Sequence, residues 1–303
     1  MNRCKKKAKA RFVRNFRFLR QGSNSLCLGP VMHVSGLFIY PVKSLRGYAV
    51  PAASVDELGF SGDRRFMLID EAGRFLTQRT APRLARIDAR LTDSTLTLSA
   101  DHAGQVRVAR APDPAAKLRP VTVWKSPDLL VEDCGQAAAA WLGDFLGFTC
   151  RLVRSGDKFA RPVLKSAARP GDRFAFADGC PFLIVGQASL AELNDRIQAN
   201  GGEPVPMDRF RPNIVVTGSD RFAEDHWTRL QIGEVTFRSG GLSERCIVTT
   251  TDQLTGERGK EPLRTLATFR RDAHDPTEVN FGTNLIHESK LGTVRVGDIV
   301  TPG

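Results

Sequence analysis

Gly240-Gly241-Leu242-Ser243-Glu244-Arg245-Cys246-Ile247-Val248-Thr249-Thr250-Thr251-Asp252 sets one cysteine beside an arginine, directly after a paired glycine. Read as a turn, the two glycines would hold a thiol at the mouth of a sheet. An adjacent cation favours a thiolate, the form that attacks electrophiles and binds soft metals. A buried structural cysteine beside an exposed arginine fits the same letters, because free cysteine is among the most buried residue types. The rest of the chain has to decide between them.

Length and composition narrow the choice. The chain has 303 residues, enough for two domains, and 41% of them are hydrophobic. No run of 18 apolar residues occurs, so no membrane span is expected. The net charge is +11. Residues 1–31 carry nine basic side chains and no acidic one, which leaves only +2 for residues 32–303. A nearly neutral body argues against a specific nucleic-acid binder. The basic extension 1–31 has three readings: a transit-like presequence, an arm for nucleic acid or a membrane surface, or a start misplaced ahead of Met32. The third agrees best with folded-domain patterning that begins immediately after Met32.

The six cysteines (Cys4, Cys27, Cys134, Cys150, Cys180 and Cys246) are irregularly spaced with no CxxC pair. That spacing fits neither a zinc knuckle nor a disulfide framework, and it suits a reducing, cytoplasmic setting. No CxxxxCxxC run is present, so no intrinsic iron–sulfur cluster is expected. There is no GxGxxG after a strand, no P-loop spacing and no GxSxG elbow. The five histidines are scattered, none with a partner four residues on.

Strand signals dominate from Val34 onward. Val34–Val42 and Arg65–Asp70 are apolar runs, and Glu71–Arg74 reads as a turn to a hairpin partner at Phe75–Thr77. Leu84–Leu91, Thr95–Leu98, Gln105–Val108 and Val121–Trp124 alternate. Asp133 is placed to cap a helix through Ala137, Trp141 and Phe145 that stops at Gly147. A linker is expected within 154–172. Beyond it come a strand at Pro181–Val185, a helix carrying Leu190, Leu193 and Ile197 on one face, and a stop at Gly201-Gly202. Strands follow at Asn213–Thr217, Leu230–Ile232 and Val235–Phe237, with a short helix in Pro262–Arg271 and a closing strand at Thr293–Thr301. The fold class expected is α+β, mainly β, with two β-rich domains at 32–153 and 154–303.

Three segments now read together: Tyr40-Pro41-Val42-Lys43-Ser44 followed by Gly62-Asp63-Arg64-Arg65-Phe66, then Phe210-Arg211-Pro212-Asn213, then Glu244-Arg245-Cys246 with its threonines. In this order they resemble the MOSC family, the molybdenum cofactor sulfurase C-terminal type, with its N-terminal β-barrel companion. Within it, the chain is similar to the hydroxylaminopurine-resistance reductases and the mitochondrial amidoxime-reducing components. The resemblance covers residues 32–303.

It implies a molybdenum–molybdopterin cofactor whose metal takes Cys246 as its protein ligand, with Arg245 favouring the thiolate. It implies cofactor contacts from Lys43, Ser44, Arg65, Arg211 and Asn213. Others fall on Asp178, Gly179, Cys180, Glu244 and Asn284. Relatives can carry hydroxyl residues where this chain has Gly179 and Cys180, and some have a small residue in place of Glu244. An arginine fork suits a phosphate, and an amide can read a pterin edge. The reaction implied is reduction of N-hydroxylated compounds and N-oxides. Asp252 is the candidate proton donor by nearness in sequence to the thiol. Because the chain ends at Gly303 after its closing strand, electrons are expected from a separate iron–sulfur or haem protein backed by a flavin reductase.

Each residue also has a plainer role open to it. Arg211 can pair with Asp208 on the surface, Lys43 can be an exposed strand end, and Asp252 can cap a turn with Thr255 and Gly256. A module that binds the cofactor or handles sulfur without redox turnover is the alternative function.

Overall fold

The computed structural model describes residues 31–303. The basic extension therefore lies outside the described residues but for Val31. The chain is α+β and mainly β, as its alternating runs require. Its largest sheet has eight strands, in the order Val300–Pro302, Arg229–Ile232, Val235–Glu244, Asn280–His287, Phe182–Gly186, Ile214–Thr217, His33–Ile39 and Tyr48–Val50. Its neighbours run antiparallel, except that Phe182–Gly186 and Ile214–Thr217 are parallel. Parallel neighbours need a crossover. The helix Gln187–Ala199 supplies it, burying Leu190, Leu193 and Ile197 and ending before Gly201 in the left-handed region.

Strand Phe182–Gly186 is buried along its whole length. Its residues alternate between two cores, as a strand's side chains must. Phe182 and Ile184 pack with Leu37, Phe60 and Phe237. Leu183 and Val185 face the helix with Leu193, Ile197 and Phe281.

The boundary at 153/154 falls at the end of strand Arg151–Arg154, and hydrogen bonding crosses it. Strands His33–Ile39 and Tyr48–Val50 complete the large sheet, and Ala52–Asp56 pairs with Thr293–Arg295. Residues 66–154 form sheets of their own: Phe66–Ile69, Arg151–Arg154, Ser126–Asp133 and Leu118–Val123 in one, and the meander Asp88–Leu91, Thr95–Ala100 and Gly104–Ala109 in another. The helix Gln136–Leu146 covers Leu68, Leu96 and Leu98 with Ala138, Leu142 and Phe145.

Several sequence expectations shift. Gly240-Gly241 is not a turn. The strand Val235–Glu244 runs through it, with register shifts that set a bulge between Ser239 and Leu242. Leu84–Leu91 is not one strand. Pro82 starts a short helical turn, Pro82–Arg86, and only Asp88–Leu91 is extended. Asp133 does not cap the helix. Gly135 occupies that position, and the Asp133 carboxylate accepts from Arg119 and Arg151. The closing segment divides into Thr293–Arg295 and Val300–Pro302. Strands Asn280–His287 and Ser126–Asp133 were not read from the sequence.

His287 gives the fold a measurable acid sensitivity. The ring is fully buried; its Nε2 bonds the Asp56 carbonyl at 2.9 Å and its Nδ1 has no partner. Burial, then the nearby Lys290 and Arg238, push its pKa from 6.5 down to about 4 against the opposing pull of Asp56. Between those values the unfolded chain takes a proton that the folded ring refuses. Stability therefore falls as pH drops from 6.5 towards 4 and is flat above 6.5. This histidine contributes a loss of about 2 kcal/mol between pH 7 and pH 5. Urea unfolding at the two pH values should show that difference in the parent and lose it in His287→Gln.

Candidate active site

The cysteine hangs from the end of the ten-residue strand Val235–Glu244. Cys246 sits just ahead of a helical turn, Ile247–Thr250. The threonines explain that turn. Thr249 donates from its backbone N–H (3.0 Å) and its hydroxyl (2.9 Å) to the Cys246 carbonyl, and the Thr250 hydroxyl donates to Ile247 O. The thiol is partly exposed and lines a cavity of about 790 Å³. Eight cationic side chains line that cavity (Lys43, Arg64, Arg79, Lys125, Arg161, Lys165, Arg211 and Arg245) against three carboxylates.

The structure separates the residues expected here. Lys43, Ser44, Asp178, Gly179, Cys180, Arg211, Asn213, Glu244, Arg245, Cys246 and Asn284 all line the cavity. Arg65 does not. Its guanidinium bonds Asp56 at 2.5 Å and the Phe60 carbonyl. The preceding residue, Arg64, enters the cavity instead, from the turn ahead of strand Phe66–Ile69, where its backbone is left-handed at φ 46°. Asp252 is also outside the lining. It accepts from the backbone N–H groups of Leu254 and Thr255 and from Arg209 at 3.0 Å. It shapes the turn, and those bonds hold its carboxyl below the ordinary range, which does not suit a proton donor.

Lys43 is buried rather than a free strand end. Its ammonium donates to Phe176 O at 3.0 Å and to the Asp178 carboxylate. Burial pushes the lysine pKa down, and Asp178 pulls it back only in part. Asp178 is 59% exposed, opening into the cavity. Desolvation would raise its pKa, but Lys43, Arg79 and the Trp124 indole N–H overcome that and hold it well below the usual carboxylate range. Arg161 secures the segment that carries Asp178. It is buried and donates to the carbonyls of Ala175 (2.9 Å), Ala177 (2.7 Å) and Asp178 (3.3 Å).

Arg211 does not pair with Asp208. Together with Arg64 it clasps the ring of buried Tyr40, the two guanidiniums lying 4.3 and 4.2 Å from the ring centre. The Tyr40 hydroxyl donates to Pro212 O at 3.1 Å. Asn213 is committed to the protein: its oxygen accepts from Arg64 at 2.8 Å and its NH₂ reaches Phe38 O. It positions Arg64 rather than offering a free amide to a ligand. Ser44, Arg64, Trp124 and Arg211 all have positive φ (65°, 46°, 55° and 56°) without being glycine. Backbone strain of this kind collects at functional sites.

The clasp is testable by stability. Tyr40→Phe loses one buried hydrogen bond, about 1 kcal/mol. Tyr40→Leu should cost about 1–3 kcal/mol more, through the two cation–π contacts. Urea midpoints of the two variants against the parent measure both steps.

Arg245 turns its guanidinium from the sulfur to Ser243 Oγ and Phe210 O, both at 2.7 Å. The cation on the thiol is Arg79, whose Nη2 donates to Cys246 Sγ at 3.2 Å. Arg79 also lies 3.7 Å from Asp178 and 4.7 Å from the Trp124 ring centre. Arg64, Arg79, Trp124 and Arg161 were all missed from the sequence as site residues. Gly240 has its own reason to be glycine: a Cβ there would come within 2.7 Å of the Cys180 sulfur. Burial pushes that second thiol up to about 12.

Comparison with known sequences bears directly on this geometry. The MOSC N-terminal beta barrel domain matches residues 31–149 and the MOSC domain matches residues 171–301. The chain is 36% identical over 285 residues to the Homo sapiens mitochondrial amidoxime-reducing component 1, covering 88% of this chain and 82% of that protein. This chain belongs to the MOSC family.

A second MOSC relative, mitochondrial amidoxime reducing component 2 of Bos taurus, is 36% identical over 284 residues, with 88% and 82% covered. The molybdenum cofactor sulfurase of Danio rerio is 30% identical over 279 residues, covering 84% of this chain but 32% of that protein. Both matched MOSC segments furnish the cavity: the first brings Lys43, Ser44, Arg64, Arg79 and Trp124, the second Asp178 through Asn284.

Proposed function

We propose that the protein is a molybdenum-dependent reductase of N-hydroxylated compounds, among them amidoximes, hydroxylamines, hydroxylaminopurines and N-oxides. The observation that carries this reading is an accessible thiol, Cys246, held by Arg79 at the wall of a cavity rich in cations. The named activity of its amidoxime-reducing relatives supports it.

The residues fit molybdopterin. A thiolate is the soft ligand that molybdenum in a dithiolene would take. The cationic lining suits a phosphate. Arg245 Nε is buried beside the cavity with no partner, a donor left over for a ligand. Cys246 would hold the metal. Lys43, Arg64, Arg211 and Arg245 would hold the anionic and polar parts of the cofactor.

When bound, the cofactor supplies two-electron chemistry that removes oxygen from nitrogen. Two electrons and two protons convert R–NHOH to R–NH₂ and water. Asp178, kept ionised by Lys43 and Arg79, acts as an acceptor that orients these donors and not as the acid. Electrons come from a separate iron–sulfur or haem protein fed by a flavin reductase, in a reducing cytoplasmic setting.

Metal analysis by mass spectrometry and fluorescence of the oxidised pterin test this on protein from a molybdate-fed host. Near-stoichiometric molybdenum and pterin are expected, with reduction of benzamidoxime by a dithionite-reduced dye. Neither signal, while a known molybdenum protein from the same host is loaded, would remove the reductase assignment. Loading without turnover would favour the second reading, a cofactor- or sulfur-handling module, which the likeness to molybdenum cofactor sulfurase supports.

A further inference from the structure

Trp124 puts a large indole at the rim of the cavity. It is 43% exposed, lines the cavity, and takes a left-handed backbone conformation at φ 55°. A left-handed backbone at a non-glycine residue costs stability, and here it carries a large aromatic side chain into the cavity. The surroundings fix the ring. Its Nε1 donates to Asp178 Oδ1 at 3.1 Å, Phe75 meets it edge-on at 5.0 Å, and the Arg79 guanidinium lies 4.7 Å from its centre. That same guanidinium bonds the Cys246 sulfur. The indole is thus held rigidly, one side chain away from the thiol. Leu164, 59% exposed, lines the same cavity and adds a second apolar surface.

We infer that Trp124 is a specificity-determining platform that stacks the planar, aromatic portion of the substrate while the N-hydroxyl group is presented toward Cys246. This deepens the reductase reading and rests on it. A rigid indole offers a large apolar face at small entropic cost, and offset stacking rewards flat π-systems over compact aliphatic ones. Arylamidoximes and hydroxylamino-heterocycles are the class favoured. Small alkyl amidoximes carry the same reacting group without a face to stack.

Isothermal titration of benzamidoxime and of acetamidoxime into the molybdenum-loaded protein tests the inference without relying on turnover. The parent, Trp124→Phe and Trp124→Ala are compared, with molybdenum and pterin measured in each. Trp124→Ala is expected to weaken benzamidoxime by about 5–10-fold and to leave acetamidoxime within about twofold. Trp124→Phe, which keeps a ring but not the bond to Asp178, should retain most of the preference. Equal weakening of both ligands would make Trp124 a mere prop for Asp178 and Arg79 and overturn the inference. Loss of molybdenum or pterin in Trp124→Ala would put the indole under the cofactor and overturn it too. A loaded parent that prefers the aromatic ligand yet turns over neither would keep the platform and sink the reductase. A parent holding no cofactor would end both.

Discussion

Cys246→Ser should leave a folded protein with no measurable turnover. The hydroxyl is a hard, weakly acidic ligand and does not replace a soft thiolate on molybdenum. Its loss should exceed the range of about 10–100-fold typical when a supporting partner of a metal ligand is removed. Arg79→Met belongs in that range, because Arg79 bonds the sulfur proposed to hold the metal. The pair is informative together. Benzamidoxime turnover should fall beyond detection in Cys246→Ser and by about 10–100-fold in Arg79→Met. Arg245→Met should lose cofactor content instead, since its guanidinium bonds Ser243 and Phe210 O and not the sulfur. Equal molybdenum content and equal activity in Arg79→Met and the parent would detach Arg79 from the thiol's function.

The second large effect is on the fold. Phe182→Ala should destabilise the protein by about 3–5 kcal/mol, seen as a lower urea midpoint at unchanged slope. Phe182 is 1% exposed in the middle of the eight-stranded sheet, edge-on to Phe60, Phe237 and His287. Its partners come from distant parts of the chain, so no local shift can close the gap. Cys180 lies two residues before it, and Asp178 and Gly179 precede that. Cofactor retention should therefore fall along with stability. A loss under 1 kcal/mol would mean that the site collapses around the smaller residue.

Much of the site could be read from the sequence because its chemistry sits in short motifs. Lys43-Ser44, Arg211, Asn213 and Arg245-Cys246 are each adjacent to a turn or strand end that the letters also announce. What could not be read follows from packing. Arg79 and Trp124 come from the N-terminal half, in stretches with no motif of their own, and only the tertiary fold carries them to the thiol. Arg64 and Arg65 cannot be told apart in the letters, because the left-handed turn backbone that sends Arg64 into the cavity has no sequence signal at an arginine. The strand Ser126–Asp133 was hidden by its turn. Trp124 takes positive φ there, which sequence signals reserve for glycine, asparagine and aspartate. Asn280–His287 lacks a clean alternation because Gly282 and the buried Asn280 and His287 interrupt it. The paired glycine at 240–241 invited a turn, whereas the structure uses it for a bulge and for close approach to Cys180.

The interwoven sheet has a consequence for how the chain is made. Strand His33–Ile39 finds its partner Ile214–Thr217 about 180 residues later. At a synthesis rate of about 5–20 residues per second, it waits roughly 10–40 s on the ribosome before that partner exists. Through that interval Val34, Leu37 and Ile39 have only the short strand Tyr48–Val50 beside them and are open to chaperones. A nascent fragment stopped near residue 150 already holds Lys43, Arg64, Arg79 and Trp124, yet has none of the large sheet's remaining strands. If the cavity takes the proposed cofactor, its capture must then be a late event, possible only once the strands up to Asn280–His287 have emerged.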